Sequence, residues 1–119
     1  MKPINIRNKF TKFDDLWSPR VIADLNDYQI KLAKVEGEFV RHNHKDTDEL
    51  FYVVSGRLFI EFDDETLELN EGEMYVVPKG EYHRPFANGV TEIMIIEPRG
   101  VINTGDSDEM GNADNDVYI

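Results

Sequence analysis

The chain has no cysteine, one tryptophan and only three histidines. Without cysteine there are no disulfides, thiolate nucleophiles or thiolate metal ligands, so any metal must be held by nitrogen and oxygen. No apolar run approaches the roughly 18 residues that a membrane-spanning helix requires. Basic residues are scarce as well: 13 Lys and Arg stand against 24 Asp and Glu, for a net charge of −11. That balance opposes binding to nucleic-acid backbones or anionic membranes, both of which need basic patches, and no helix-turn-helix stretch is present. The first residues, MKPINIRNKFTKFDD, carry early positive charges but no apolar core segment, so they do not read as a secretion signal. The expectation is a cytoplasmic protein.

What is present is an ordinary globular balance, 40% hydrophobic and 31% charged over 119 residues, the size of one domain. We divide it into an N-terminal segment (1–19), a β-barrel (20–99) and a C-terminal arm (100–119). Phe10, Phe13, Leu16 and Trp17 fall at roughly helical spacing, which predicts a short helix or turn packed on the barrel. Ser18-Pro19 ends it. From Arg20 the pattern is that of strands: RVIADL, a turn at Asn26-Asp27, then YQIKLAKVE, in which Tyr28, Ile30 and Leu32 alternate with Gln29 and Lys31 as in a half-buried strand. Gly37 breaks the run and EFVRHNH resumes it. KDTD is a turn, ELFYVV a strand, and RLFIEFD with TLELN a hairpin across Asp64-Glu65. EMYVV, and TEIMIIE after Asn88-Gly89, are further strands. Strands every 8–12 residues with almost no helix predict an all-β sandwich or barrel.

The C-terminal arm is polar and acidic. Asp106, Asp108 and Gly111 match positions 1, 3 and 6 of an EF-hand loop, but Met110 stands at position 5 and Val117 where a bidentate Glu is needed, so the loop is rejected. The expectation is a solvated arm that packs at its Val117-Tyr118-Ile119 end.

The stretch Gly37 to Gly56, GEFVRHNHKDTDELFYVVSG, concentrates the chemistry. His42 and His44 are two residues apart, and on a strand such residues project from one face about 7 Å apart. Glu49 follows five residues later, and the remaining histidine, His83, sits in a second block behind Pro78 and Gly80. Taken singly, each could be a surface or turn residue. Taken together, they make a three-nitrogen, one-oxygen donor set suited to a divalent transition metal: Fe, Mn, Ni, Co, Cu or Zn. A six-coordinate ion held by four protein ligands keeps two positions open for water, substrate or dioxygen.

These blocks resemble the cupins, a family whose fold is a double-stranded β-helix, or jelly roll. The first cupin motif is matched by Gly37, the His42-Asn43-His44 triplet, Glu49 after four residues and Gly56 after six more. The second is matched by Gly72, Pro78-Lys79-Gly80 and His83. The leading glycine stands four residues before the HxH instead of five, and Ala87 stands where the motif ends in asparagine, neither being a ligand position in the family. The resemblance implies that His42, His44, Glu49 and His83 are the metal ligands and that the protein is a homodimer. Gly56 and Gly80 are expected to supply positive-φ turns. Period-two alternation places Phe51 and Val53 on the face of Glu49 and Val40 on that of the histidines, either as a pocket around the ion or as plain core.

The expected function is that of a metal-dependent enzyme, such as a dioxygenase or isomerase, acting on a small organic molecule. The alternative is a non-catalytic module that senses or sequesters a small ligand or metal. Tyr52, Tyr75, Tyr82, Arg57 and Arg84 are the candidates for acid, base or anion-clamp roles.

Overall fold

The computed structural model describes residues 1–107, 113–114 and 116–119. A five-residue helix, α1 (Ile6–Phe10), precedes seven strands: β1 (Arg20–Leu25), β2 (Tyr28–Glu38), β3 (Glu49–Ser55), β4 (Arg57–Glu61), β5 (Thr66–Asn70), β6 (Met74–Val77) and β7 (Arg84–Pro98). All their pairings are antiparallel. The main sheet runs β1-β2-β7-β3-β6, while β4 pairs with both β5 and β7. The fold is the jelly-roll β-barrel.

The 15-residue β7 makes this closure possible. Its first residues, Arg84 to Phe86, pair with β4, and its later ones run between β2 and β3. Between these parts the register with β2 shifts, three residues of β7 (Asn88–Val90) standing opposite Glu36 alone. Such a bulge bends and twists a strand, and here it lets one strand serve both halves of the barrel. Asn88-Gly89 therefore lies inside a strand rather than ahead of one. Likewise β2 passes through Gly37 and stops at Glu38; residues 39–44 form no strand, only an isolated bridge between His42 and His83.

The barrel interior is filled by Ala33, Val35, Phe51, Val53, Leu58, Ile60, Phe62, Leu69, Val77, Ala87, Ile93 and Ile95. A second cluster, Phe10, Phe13 and Leu32 with Ile22, Val54, Met94 and Ile119 around it, covers the outer face of the sheet. Strand β2 thus has its faces the other way round from the sequence expectation. Gln29, Lys31, Ala33 and Val35 point inward, Leu32 is buried outward under the N-terminal segment, and Tyr28 is exposed. Alternation marks two faces but does not label them; the outer cover supplied by residues 1–19 made an apolar outer face affordable.

The N-terminal stripe divides for a related reason. Helix α1 is capped by Asn5, whose Oδ1 accepts from Asn8 N at 2.8 Å, and ends at Phe10. Phe10 and Phe13 join the outer cluster, Leu16 is exposed, and Trp17, at φ +57°, turns to the barrel mouth. At the other end, Val117 O accepts from Val21 N and Ile119 N donates to Val21 O, so the terminal residues do pack. Of the rejected EF-hand positions, Asp108, Met110 and Gly111 lie outside the described residues.

Gly56 sits at φ +94°, where a Cβ would lie 2.7 Å from Thr91 Oγ1; Gly72, at φ +84°, faces open space. Both positions disfavour a side chain on backbone grounds, but only Gly56 adds a collision. Gly56→Ala should therefore cost about 1–3 kcal/mol in urea unfolding and Gly72→Ala less. Equal losses would contradict the packing argument.

Candidate metal centre

The loop from Phe39 to His44 and the segment from Glu81 to Arg84 meet at one rung. His42 N donates to His83 O and His83 N donates to His42 O, each at 2.9 Å. The rings are oriented by the same device on both sides: His42 Nδ1 lies 2.9 Å from Val40 O and His83 Nδ1 lies 3.0 Å from Glu81 O. A carbonyl only accepts, so each Nδ1 carries the proton and each Nε2 presents a lone pair. Glu49, first residue of β3, faces inward with Phe51 and Val53. Val40 is half-buried and contributes its carbonyl to the site.

His42, His44, Glu49 and His83 are 2%, 7%, 5% and 1% exposed, and one donor atom from each lies within 4.8 Å of all the others. Glu49 Oε1 is 3.3 Å from His44 Nε2 and 3.5 Å from His83 Nε2. None of these three buried atoms has a hydrogen-bond partner among the described residues. Buried polar atoms that converge without partners are costly, and a cation would satisfy all three at once. The donor set thus fits a divalent metal ion, with ligand bonds near 2.0–2.2 Å requiring only small inward movements. Sequence reasoning had placed the histidines on a strand; the structure brings the same four residues together on a loop, one strand end and one turn.

The electrostatics agree. Burial, aided by the neighbouring His83, lowers His42 to about 4, so it is neutral and ready to ligate near pH 7. Burial pushes Glu49 up, but His44 and His83 beside it more than offset this, and the group lies below the usual carboxylate range.

Ten other residues join His42 and Glu49 around a cavity of about 30 Å³, mostly apolar: Trp17, Pro19, Ala33, Val35, Phe39, Phe51, Pro85, Ile93, Ile95 and Asn103. That is room for one or two waters. It is closed outward by Trp17, stacked on Phe39 with ring centroids 4.7 Å apart, and Phe39 in turn meets His42 edge-on. Asn103 Nδ2 donates to Trp17 O at 3.2 Å. Beyond this aromatic pair lies a far larger surface groove of about 740 Å³, lined also by Arg20, Glu38 and Val40. It is the smaller space that touches the ligands.

Two features escaped the sequence reading. The first is the part of the arm around Gly105, which is tied to the loop that carries His42 and His44. Asp106 Oδ1 accepts from Asn43 N and Asp106 N donates to Asn43 O. Gly105, at φ +56°, lies so close that a Cβ would collide with Asn43 O and with His42 Cδ2, 2.8 Å away. The second is a buried ion pair, Lys31 with Glu97, next to Glu49. The alternation Thr91, Ile93, Ile95, Glu97 carried the signal for Glu97, since it shares the inward face of β7. Burial, and the negative charge of Glu49, push Glu97 well above the usual range. The five candidates for acid, base or clamp roles lie elsewhere, none lining the cavity. Tyr82 donates to Asp106, Arg84 pairs with Glu38 and Glu61, and Arg57 faces Asn70 and Glu68. Tyr52 and Tyr75 sit on β3 and β6 away from it.

Residues 29–97 match the family model described as "Cupin domain". The chain belongs to the cupin family. This cupin is similar to a cupin-2 domain containing protein from Shewanella frigidimarina NCIMB 400, at 59% identity and a TM-score of 0.80 over 81% of this chain and 94% of that one. It is similar also to protein NMB1881 from Neisseria meningitidis, at 30% identity and a TM-score of 0.75 over 82% of this chain and 99% of that one. Among curated proteins it matches the uncharacterized protein YdbB of Bacillus subtilis (strain 168), 44% identical over 64 residues, which are 53% of this cupin and 57% of YdbB. This cupin thus spans little more than half the length of that relative. Among the described residues, no helix is long and apolar enough to cross a membrane.

The lowered His42 makes a pH prediction. Between about pH 6.5 and 4 the unfolded chain takes up a proton at His42 that the folded chain refuses, so stability falls as pH drops through that window, by on the order of 3 kcal/mol. Glu97, being raised, works in the opposite sense, and Glu49, being lowered, works in the same sense as His42 from the foot of the window downward. The His42 contribution is therefore the difference in slope between wild type and His42→Gln, measured by urea unfolding in chelator. Parallel slopes would refute it.

Proposed function

We propose that this cupin is a metal-dependent enzyme acting on a small organic molecule, with His42, His44, Glu49 and His83 holding a divalent transition metal. The observation that carries this is the convergence of His44 Nε2, His83 Nε2 and Glu49 Oε1, buried together with no hydrogen-bond partner. When bound, the ion supplies Lewis acidity or a site for dioxygen. The chain's own residues do the rest. Carbonyls of Val40 and Glu81 fix the tautomers of His42 and His83, and Phe51, Ile93 and Ile95 give the cavity beside the ligands an apolar wall. Substrate enters where Trp17 and Phe39 now close the cavity.

The narrowness of that cavity favours a second reading, a non-catalytic module that binds or senses a small ligand or the metal itself. Purified protein should contain close to one equivalent of transition metal by elemental analysis, and His44→Ala should lose it. Metal-free wild type that resists reloading would sink both the centre and the enzyme. Metal retention together with consumption of oxygen or substrate separates the enzyme from the binding module.

We infer a cytoplasmic homodimer. Its support is the free edge of β6, where Met74, Tyr75 and Val76 are consecutive exposed apolar residues at the end of the sheet; such edges and patches are sites of association. Met74→Glu with Val76→Lys should convert a dimer of about twice the chain mass into a monomer in light scattering. An unchanged mass would place the interface elsewhere, and a monomeric wild type would end the proposal.

A further inference from the structure

Strand β3 begins at Glu49 and ends at Ser55, so the next residue, Gly56, stands roughly 20 Å from the ligand set at about 3.3 Å per residue. There a second groove, of about 560 Å³, opens at the barrel surface, and none of the residues lining it also lines the cavity at the metal centre. Its walls are the start of β4, the end of β5 and the bulge of β7. Arg57 and Phe59 flank the buried Leu58 on β4 and so share the outer face. Asn70 stands opposite Arg57 on β5, and Asn88 and Val90 are exposed on the bulge.

One buried hydroxyl ties these walls together. Thr91, 2% exposed, lies at the base of the groove. Its Oγ1 accepts from Arg57 N at 3.3 Å and shares its own proton between Arg57 O at 3.0 Å and Gly89 O at 3.2 Å. The bulge sets the opposite wall; such features re-aim side chains and gather beside functional sites.

The lining decides what fits. Phe59 stacks on Phe86 with centroids 5.0 Å apart and planes 10° from parallel, and the Arg84 guanidinium lies 5.1 Å from the Phe86 ring. Of these three side chains only Phe59 reaches the groove. Arg57 is held through Nε, 3.1 Å from Asn70 Oδ1 and 3.8 Å from Glu68 Oε2, so its terminal nitrogens remain as donors. Asn88 adds an amide that donates and accepts, and Glu71 a carboxylate that accepts. One guanidinium beside two carboxylates concentrates no charge of either sign. Donors and acceptors around an apolar ring suit a neutral molecule with hydroxyls at its edge and C–H bonds on its face.

We propose that this groove binds a neutral sugar of one or two rings, with a C–H face on Phe59 and Val90 and hydroxyls on Arg57, Asn88 and Glu71. Its volume falls among those of small-molecule sites. The site is separate from the metal centre and does not rest on it.

The test titrates the methyl α-glycosides of glucose, galactose and mannose into the isotope-labelled full chain and follows backbone amide shifts by NMR. At least one glycoside should move Gly56, Arg57, Asn88, Gly89 and Thr91 while leaving His42, His44 and His83 in place, with or without chelator. Asn88→Ala and Arg57→Ala, both exposed positions, should keep the wild-type spectrum elsewhere and bind that glycoside roughly 3–10-fold more weakly. Failure of all three sugars to move the groove amides overturns the proposal, as do shifts centred on the histidines or unchanged affinity in both variants. Tighter binding of glucose 6-phosphate than of the neutral glycosides overturns the assignment to a neutral ligand. Each of these results leaves the metal centre standing.

Discussion

The site depends on one reciprocal backbone contact, the two hydrogen bonds exchanged between His42 and His83. They join segments about forty positions apart in sequence, neither of which is a strand at that point. Without the rung, the loop after Glu38 and the turn after Pro78 would each carry a histidine with nothing to aim it. With it, both rings are held close, centroids 4.4 Å apart, at a tilt of 51°. Each then turns its Nδ1 back to the carbonyl two residues earlier. The backbone places the rings and the carbonyls choose the tautomer, so the inward lone pairs follow from main-chain geometry before any side chain packs. Other contacts buttress this rung. Gly80 N donates to His44 O, Asn43 Nδ2 to Gly80 O, and Asp106 ties Asn43 from the arm.

Much of this was legible because it is local. The strands expected from alternation and turn residues exist except the one across residues 39–44, which is a loop with a single bridge at His42, and the four candidate ligands do converge. What alternation could not show is which face is inside. On β2 the outward Leu32 is covered by Phe10 and Phe13, so an apolar residue that looked like core proved to be under a cover, and Lys31, which looked like surface, is interior. The same blindness hid Glu97 at the end of an apolar run. A charged residue on an inward face is legible only when its partner is, and Lys31 lies 66 positions away. Trp17 was misplaced because a helical stripe presumes a helix that continues, whereas α1 ends at Phe10 and the chain later turns through positive φ.

The closing elements come from both ends of the chain. Trp17 donates its Nε1–H to Glu36 O and is held through its carbonyl by Asn103, while Gly105 lies against His42. A non-glycine residue at positive φ stores backbone strain that surrounding contacts must hold. At Trp17 those contacts are its N–H and Nε1–H donated to Lys34 O and Glu36 O, the bond from Asn103, the stack on Phe39 and packing against the barrel core. The residue separating the ligands from the large outer groove is therefore one held at a positive φ that a bulky side chain rarely adopts.

The buried pair also bears on what could enter. The chain as a whole is strongly anionic, which disfavours anions at a distance, but exposed charges are screened beyond about 8 Å at physiological salt. Inside the barrel, burial and the negative charge of Glu49 push Glu97 up while Lys31 acts the other way, so the balance of charge around the four proposed ligands turns on the Lys31–Glu97 pair as well as on Glu49. In a low-dielectric cavity charge acts at close range, so a divalent ion held as proposed would favour a small anionic or chelating molecule over a cation or a neutral hydrocarbon.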